Sequence, residues 1–103
     1  MDSTIPEPEA CTDMADVRNG VDATDRELIA LLARRYGYMR AAARIKTSRD
    51  AVRDEGRKAQ VIDNARKAAE ICQLPGDDIA GIWDALVESS IAYELTEWDR
   101  LRS

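Results

Sequence analysis

Arg18, Arg35 and Lys46 are three cations set at helical spacing into an otherwise mostly apolar stripe. Alternating steps of four and three residues run through Met14, Arg18, Val21, Asp25, Leu28, Leu32, Arg35, Met39, Ala42 and Lys46, which is one continuous face of a helix. An unpaired charge on a packed face is strongly unfavourable or neutralises. Something anionic should therefore meet these three side chains. Arginine suits that task because its planar fork pairs bidentately with a carboxylate. The competing reading of each arginine is a side chain that snorkels or pairs with a nearby acid such as Asp22 or Asp25.

Spacing limits which cations can share a ligand. Arg35 and Lys46 are eleven residues apart, so they return to nearly the same face about 16 Å apart along the axis. Both are long enough to lean toward a small molecule between them. Arg18 precedes Arg35 by seventeen residues, roughly 25 Å. It does not easily reach the same ligand from the same chain, but Arg18 of an antiparallel partner could close the pocket.

A second anomaly lies near the C-terminal end. Ser90 and Glu94 fall one turn apart in the apolar stripe Ile79, Ile82, Trp83, Leu86, Val87, Ser90, Ile91, Glu94, Leu95, Trp98, Leu101. A carboxyl in that setting favours its neutral form unless a cation answers it. The plainer reading of Glu94 is that it neutralises a seam cation. Arg57 and Lys58 open a further helix beside a polar segment. Arg57 is a candidate ligand contact, and Lys58 reads as a solvated surface charge.

Composition removes whole classes of chemistry. The chain of 103 residues has no histidine, which excludes Ser-His-Asp and Cys-His arrangements and histidine-based zinc sites. Cys11 and Cys72 form no metal or redox motif and read as isolated thiols in a reducing compartment. No phosphate-binding glycine loop and no EF-hand pattern is present. The net charge of −5 argues against nucleic acid as a partner. The charge is uneven: nine bases and three acids between Arg34 and Lys58 give +6, which leaves −11 for the rest. A basic pocket in an acidic protein suits a small anion better than a polyanion. The longest apolar run is far short of a membrane span, so no membrane partner is expected.

The elements that must position these residues are helices. Residues 1–10 are acidic and contain proline, and read as a disordered lead-in without a secretory signal, which implies a cytoplasmic protein. Residues 11–103 read as one helical domain. Thr12 or Asp13 opens a first helix reaching about Thr47. Residues 48–54 read as a loop, and a second helix follows from about Glu55 to Cys72. Leu74-Pro75-Gly76 stops it, and Asp77 or Asp78 caps a third helix running to about Leu101. No stretch alternates with period two for long enough to form a strand. A first helix of about 35 residues is roughly 50 Å long, against a radius of gyration of about 13 Å for a domain of this size. A second chain is the simplest cover for its stripe. The expected architecture is all-α, with three helices per chain in an intertwined homodimer.

These residues match a known pattern. The run Cys11-Thr12-Asp13-Met14-Ala15-Asp16-Val17-Arg18, then Val21-Asp22, Asp25, Leu31-Leu32-Ala33-Arg34-Arg35, and Ala41-Ala42 to Lys46, resembles the all-helical chorismate mutases. Within them it looks closest to the branch that includes isochorismate pyruvate lyase. The resemblance covers about Cys11 to Arg100. It implies an intertwined three-helix homodimer with two equivalent sites and no cofactor or metal. It also implies roles: Arg18 donated by the partner subunit, Arg35 on a substrate carboxylate, Lys46 on a carboxylate and the ether oxygen, and Arg57 and Ser90 as further substrate contacts. Two positions depart from the family pattern. Glu94 stands where Gln is frequent, and a carboxylate donates to an ether oxygen only when protonated. Lys58 stands where several mutases carry a Glu that reads the substrate hydroxyl.

The implied reaction explains the missing nucleophile. Chorismate rearranges to prephenate within one molecule, so the protein needs to select a compact conformer and stabilise charge at the ether oxygen. Isochorismate pyruvate lyase would use nearly the same clamps to release pyruvate. The N-terminal pattern favours the lyase, whereas Glu94 and the polar Arg53 to Lys58 segment favour the mutase. A third reading is a non-catalytic helical dimer that binds a metabolite or a partner enzyme.

Overall fold

The computed structural model describes residues 5–103. Its helices are α1 Met14–Ile45, α2 Glu55–Ile71 and α3 Gly76–Leu101, with short 3-10 turns at Pro8–Ala10 and Arg49–Ala51. No strand occurs among the described residues, in line with the all-α expectation. The first turn falls in the lead-in expected to be disordered, whose residues 1–4 lie outside the described residues. The second falls in the segment read as a loop.

α1 continues unbroken through Gly20 and Gly37 for 32 residues, about 48 Å at the usual rise. Both residues named as its opening take part in its cap. Asp13 Oδ1 accepts the Asp16 N–H at 2.8 Å, and the Asp16 carboxylate reaches back to the Thr12 N–H at 3.1 Å and its hydroxyl at 3.2 Å. Two acids at this end also suit the positive end of the helix dipole.

The chain divides into two compact units, Met1–Arg35 and Tyr36–Ser103, with the boundary inside α1. The first unit is the opening two-thirds of α1 and the lead-in. None of its described residues is buried. Met14, Val17, Val21, Leu28, Ile29 and Leu31 are all exposed. A helix with no buried residue is marginal in water.

The second unit holds the core. Val52, Val87 and Ile91 are buried together, with Val61, Ile62, Leu95 and Trp98 packed against them. α2 and α3 pack on each other. Arg66 pairs with Asp77, while Lys58, two turns earlier, pairs with Asp84 and Glu88. Partners that descend α2 as they climb α3 make the helices antiparallel. The last turns of α1 meet α3 through long side chains. Tyr36 Oη lies 2.8 Å from Ser89 Oγ, and Arg40 donates to Tyr93 Oη at 2.9 Å. The Tyr36 and Tyr93 rings meet edge to face at 4.9 Å. Both hydrogen-bonded pairs are separated by 53 residues, so α1 and α3 run parallel here.

The connection between α2 and α3 corrects the sequence reading. Gln73, not Gly76, takes the left-handed conformation that ends α2, with φ of 62°. Leu74 N–H donates to Ala69 O at 2.8 Å and Gln73 N–H to Glu70 O at 3.0 Å, the paired bonds of a Schellman motif. Gly76 is instead the first residue of α3, after Pro75 as N-cap, and no side chain caps this helix. Asp77 and Asp78 therefore lie in its first turn and not at its cap. A Cβ at position 76 would stand 2.8 Å from Glu70 Oε2 and 3.1 Å from Arg66 Cγ, so the exposed Glu70 side chain would have to shift to admit one.

Candidate active site

The second unit brings Lys46 and Glu94 together. Lys46 closes the last turn of α1, its N–H donating to Ala42 O at 2.9 Å. Its ammonium nitrogen lies 2.8 Å from Glu94 Oε2. Glu94 is only 4% exposed, one turn after buried Ser90 and beside buried Ile91. The plainer reading of Glu94 is thus realised in the free protein, where the carboxylate answers a seam cation.

The geometry leaves capacity unused. Beyond its ion pair with Lys46, Glu94 Oε2 has no hydrogen-bond partner among the described residues. Lys46 also donates to Val52 O, at a long 3.4 Å. A lysine has three donors, and its side chain here remains about 29% exposed, so Lys46 can still turn a donor toward an anion.

Ser90 is buried on α3, and its hydroxyl donates to Leu86 O at 2.8 Å. Arg57 lies in the first turn of α2, which Asp54 caps by accepting the Arg57 N–H at 3.0 Å. Its guanidinium is exposed and donates to Gln60 Oε1 at 2.7 Å. Arg18 and Arg35 belong to the first unit, Arg18 exposed and Arg35 half-buried and engaged.

Lys58 is not the solvated charge its sequence setting suggests. It is half-buried and bridges α2 to α3 through Glu88 at 2.6 Å and Asp84 at 3.0 Å. Arg53 adds a fork onto Glu88 at 2.7 and 3.0 Å. Arg53, then Lys58, hold the Glu88 carboxyl down at about 2, while Glu88 and then Asp84 hold the Lys58 ammonium above its ordinary value.

The sequence reading missed two residues that touch this region. Trp98 donates its indole N–H to Lys46 O at 3.1 Å, and Arg102 donates to the same oxygen at 2.8 Å. The available signal was the spacing Glu94, Trp98, Arg102, which places a carboxylate, an indole and a guanidinium on successive turns of one face.

Residues 17–95 match the sequence model of chorismate mutase type II. The chain belongs to that family. The match includes Arg18, Arg35, Lys46, Arg57, Ser90 and Glu94, and stops before Trp98 and Arg102. The chain is also 30% identical over 95 residues to the isochorismate pyruvate lyase of Pseudomonas aeruginosa strain PAO1, covering 92% of this chain and 94% of that protein. The chorismate mutase type II family acts on chorismate-like substrates, which carry carboxylates and an ether oxygen.

Proposed function

We propose that the protein is a chorismate mutase, converting chorismate to prephenate within a homodimer. The observation that carries the reading is the half-buried Lys46 ammonium 2.8 Å from the buried Glu94 carboxyl, whose Oε2 keeps an unused lone pair. In this reading Arg35 and Arg18 of the partner subunit hold the two substrate carboxylates, with Arg57 and Ser90 as further contacts. Lys46 and Glu94 face the ether oxygen. The C–O bond of the ether breaks as a C–C bond forms in the same molecule, so there is no leaving group and no covalent intermediate. Negative charge gathers on the oxygen in the transition state, where Lys46 stabilises it. Glu94 contributes a second donor when it carries a proton.

A second copy of the chain supplies the partner Arg18. The exposed stripe of Met14, Val21 and Leu28 on a helix unit with no buried residue supports such a partner. A second catalytic reading, isochorismate pyruvate lyase, draws support from the 30% identity to the Pseudomonas aeruginosa enzyme. It would break the same kind of C–O bond but pass a ring hydrogen to the departing side chain, giving salicylate and pyruvate. The decisive experiment incubates the purified protein with chorismate and isochorismate separately. Prephenate from the first is the expected result. Salicylate with pyruvate from the second, without prephenate from the first, replaces the mutase by the lyase. Silence on both leaves a binding protein.

A further inference from the structure

The end of α1 that carries Lys46 is gripped from outside the stretch matched to the family. Helices end with carbonyls that have no partner within the helix. Two of those of α1 are answered by one side chain 56 or more residues away. Arg102 donates through one guanidinium nitrogen to Ala43 O at 3.1 Å and through the other to Lys46 O at 2.8 Å. The first nitrogen also reaches Trp98 O at 3.3 Å. Lys46 O accepts a second bond, from Trp98 Nε1 at 3.1 Å, so both its lone pairs are used. The guanidinium lies 4.1 Å from the centre of the Trp98 ring and stacks on it. Just beyond, Arg49 forks onto Asp99 at 2.9 and 3.2 Å, fastening the 3-10 turn that follows Lys46 to the same end of α3.

α3 thus holds Lys46 twice. Glu94 meets its ammonium, and four and eight residues on, Trp98 and Arg102 hold its carbonyl. We infer that Arg102, seated on Trp98, is a positioning residue that fixes the backbone from which the Lys46 side chain reaches the reacting oxygen. This rests on the proposed enzymatic reading of the Lys46–Glu94 site. The fork matters as well as the charge. Only a planar guanidinium bonds two carbonyls at once while stacking on an indole, whereas a lysine keeps the favourable charge at the helix C-terminus and loses the rest. A displacement of about 1 Å at a catalytic group is worth up to ~100-fold in rate.

The test uses the full chain and the variants Arg102→Ala, Arg102→Lys and Trp98→Phe. The exchange rate of the Trp98 indole N–H, measured by NMR, reads the clamp without any turnover. It should quicken at least about tenfold in Arg102→Ala and Arg102→Lys, and an unchanged rate overturns the clamp. Turnover is then measured on whichever of chorismate or isochorismate the wild type converts. Both Arg102 variants should lose about 10- to 100-fold in kcat with KM moving less than about threefold, and Trp98→Phe should lose several-fold. Arg66→Ala, which cuts a peripheral ion pair with Asp77, serves as the control for general loosening and should keep its kcat. Full kcat in Arg102→Ala, complete rescue by Arg102→Lys, or an equal loss in Arg66→Ala each overturns the proposal. Should Arg102→Ala not fold, Arg102→Lys and Trp98→Phe decide it by the same criteria. A wild type silent on both substrates sinks the enzymatic reading, and the positioning role with it, while the indole exchange still reports on the clamp.

Discussion

At the scale of single residues, the proposed reaction turns on whether Glu94 accepts or donates. As a carboxylate it accepts only, and in the free protein it spends its charge on Lys46 at 2.8 Å. As a neutral acid it would, in the proposed reading, donate to the ether oxygen and release the ammonium for the substrate. In the proposed reading activity should therefore rise from alkaline to acid pH, because only the protonated side chain supplies the second donor. Glu94→Gln donates at every pH and should flatten the profile, with its largest relative gain at the alkaline end. Initial rates of both proteins across that range check this, and a flat wild-type profile sinks it. Glu88 offers a contrasting case, since its proton bears on folding. Arg53 and Lys58 hold its carboxyl from the ordinary 4.5 down to about 2. A depressed value means the ionised form is favoured by the fold, so this stabilisation is complete above about 4.5 and is lost as pH falls toward about 2. Glu88→Gln should melt below the wild type at neutral pH, with the gap closing through that acid window. Melting curves at several pH values read it directly.

At the scale of elements, the extents of the helices follow from the sequence because hydrophobic periodicity is a repeated signal. The three helices match the expected spans to within a residue or two at most ends. Their junctions do not repeat, and there the reading slipped. Pro75-Gly76 carries the usual signature of a stop, yet the chain turns at Gln73 and begins α3 at Gly76. The turn is made by the bonds of Gln73 N–H to Glu70 O and Leu74 N–H to Ala69 O, which no periodic pattern announces. The site divides in the same way. The seam position of Lys46 and the buried setting of Glu94 follow from periodicity, whereas the grip of Arg102 on α1 joins residues 56 apart and leaves no periodic trace. The turn itself yields a prediction. Gln73 holds a left-handed conformation at the position of the Schellman motif where glycine is usual. Gln73→Gly removes a strain of about 1 kcal/mol and gives part of it back through a freer unfolded chain, a net gain of about 0.5 kcal/mol. Chemical denaturation should show a higher midpoint at unchanged slope, and a lower midpoint would mean that the Gln73 side chain contributes more than its backbone costs.

At the scale of the whole molecule, burial and charge point the same way. All eight buried residues among those described belong to the second unit, while the first exposes Met14, Val21, Leu28 and Ile29 on the stretch of α1 that buries nothing. A second copy would cover that stripe and, in the proposed reading, bring its Arg18 to the Arg35 and Lys46 of its neighbour. The +6 stretch from Arg34 to Lys58 would then gain one more cation in a protein of net −5 per chain, concentrating positive potential where a small dicarboxylate is to bind. The consequence is a testable arithmetic of sites. Arg18→Ala and Arg35→Ala chains each damage both sites of their own homodimer. In a mixed dimer with shared sites, both lesions fall on one site and the other is intact. When the two inactive proteins are unfolded together and refolded at equal amounts, about half of the dimers are mixed by random pairing. Each mixed dimer carries one working site of two, so roughly a quarter of wild-type activity should return. Sites built within one chain would give a mixture no more active than its parents. The unmixed variants refolded alone, and sizing of each preparation by light scattering, keep failed refolding apart from failed complementation.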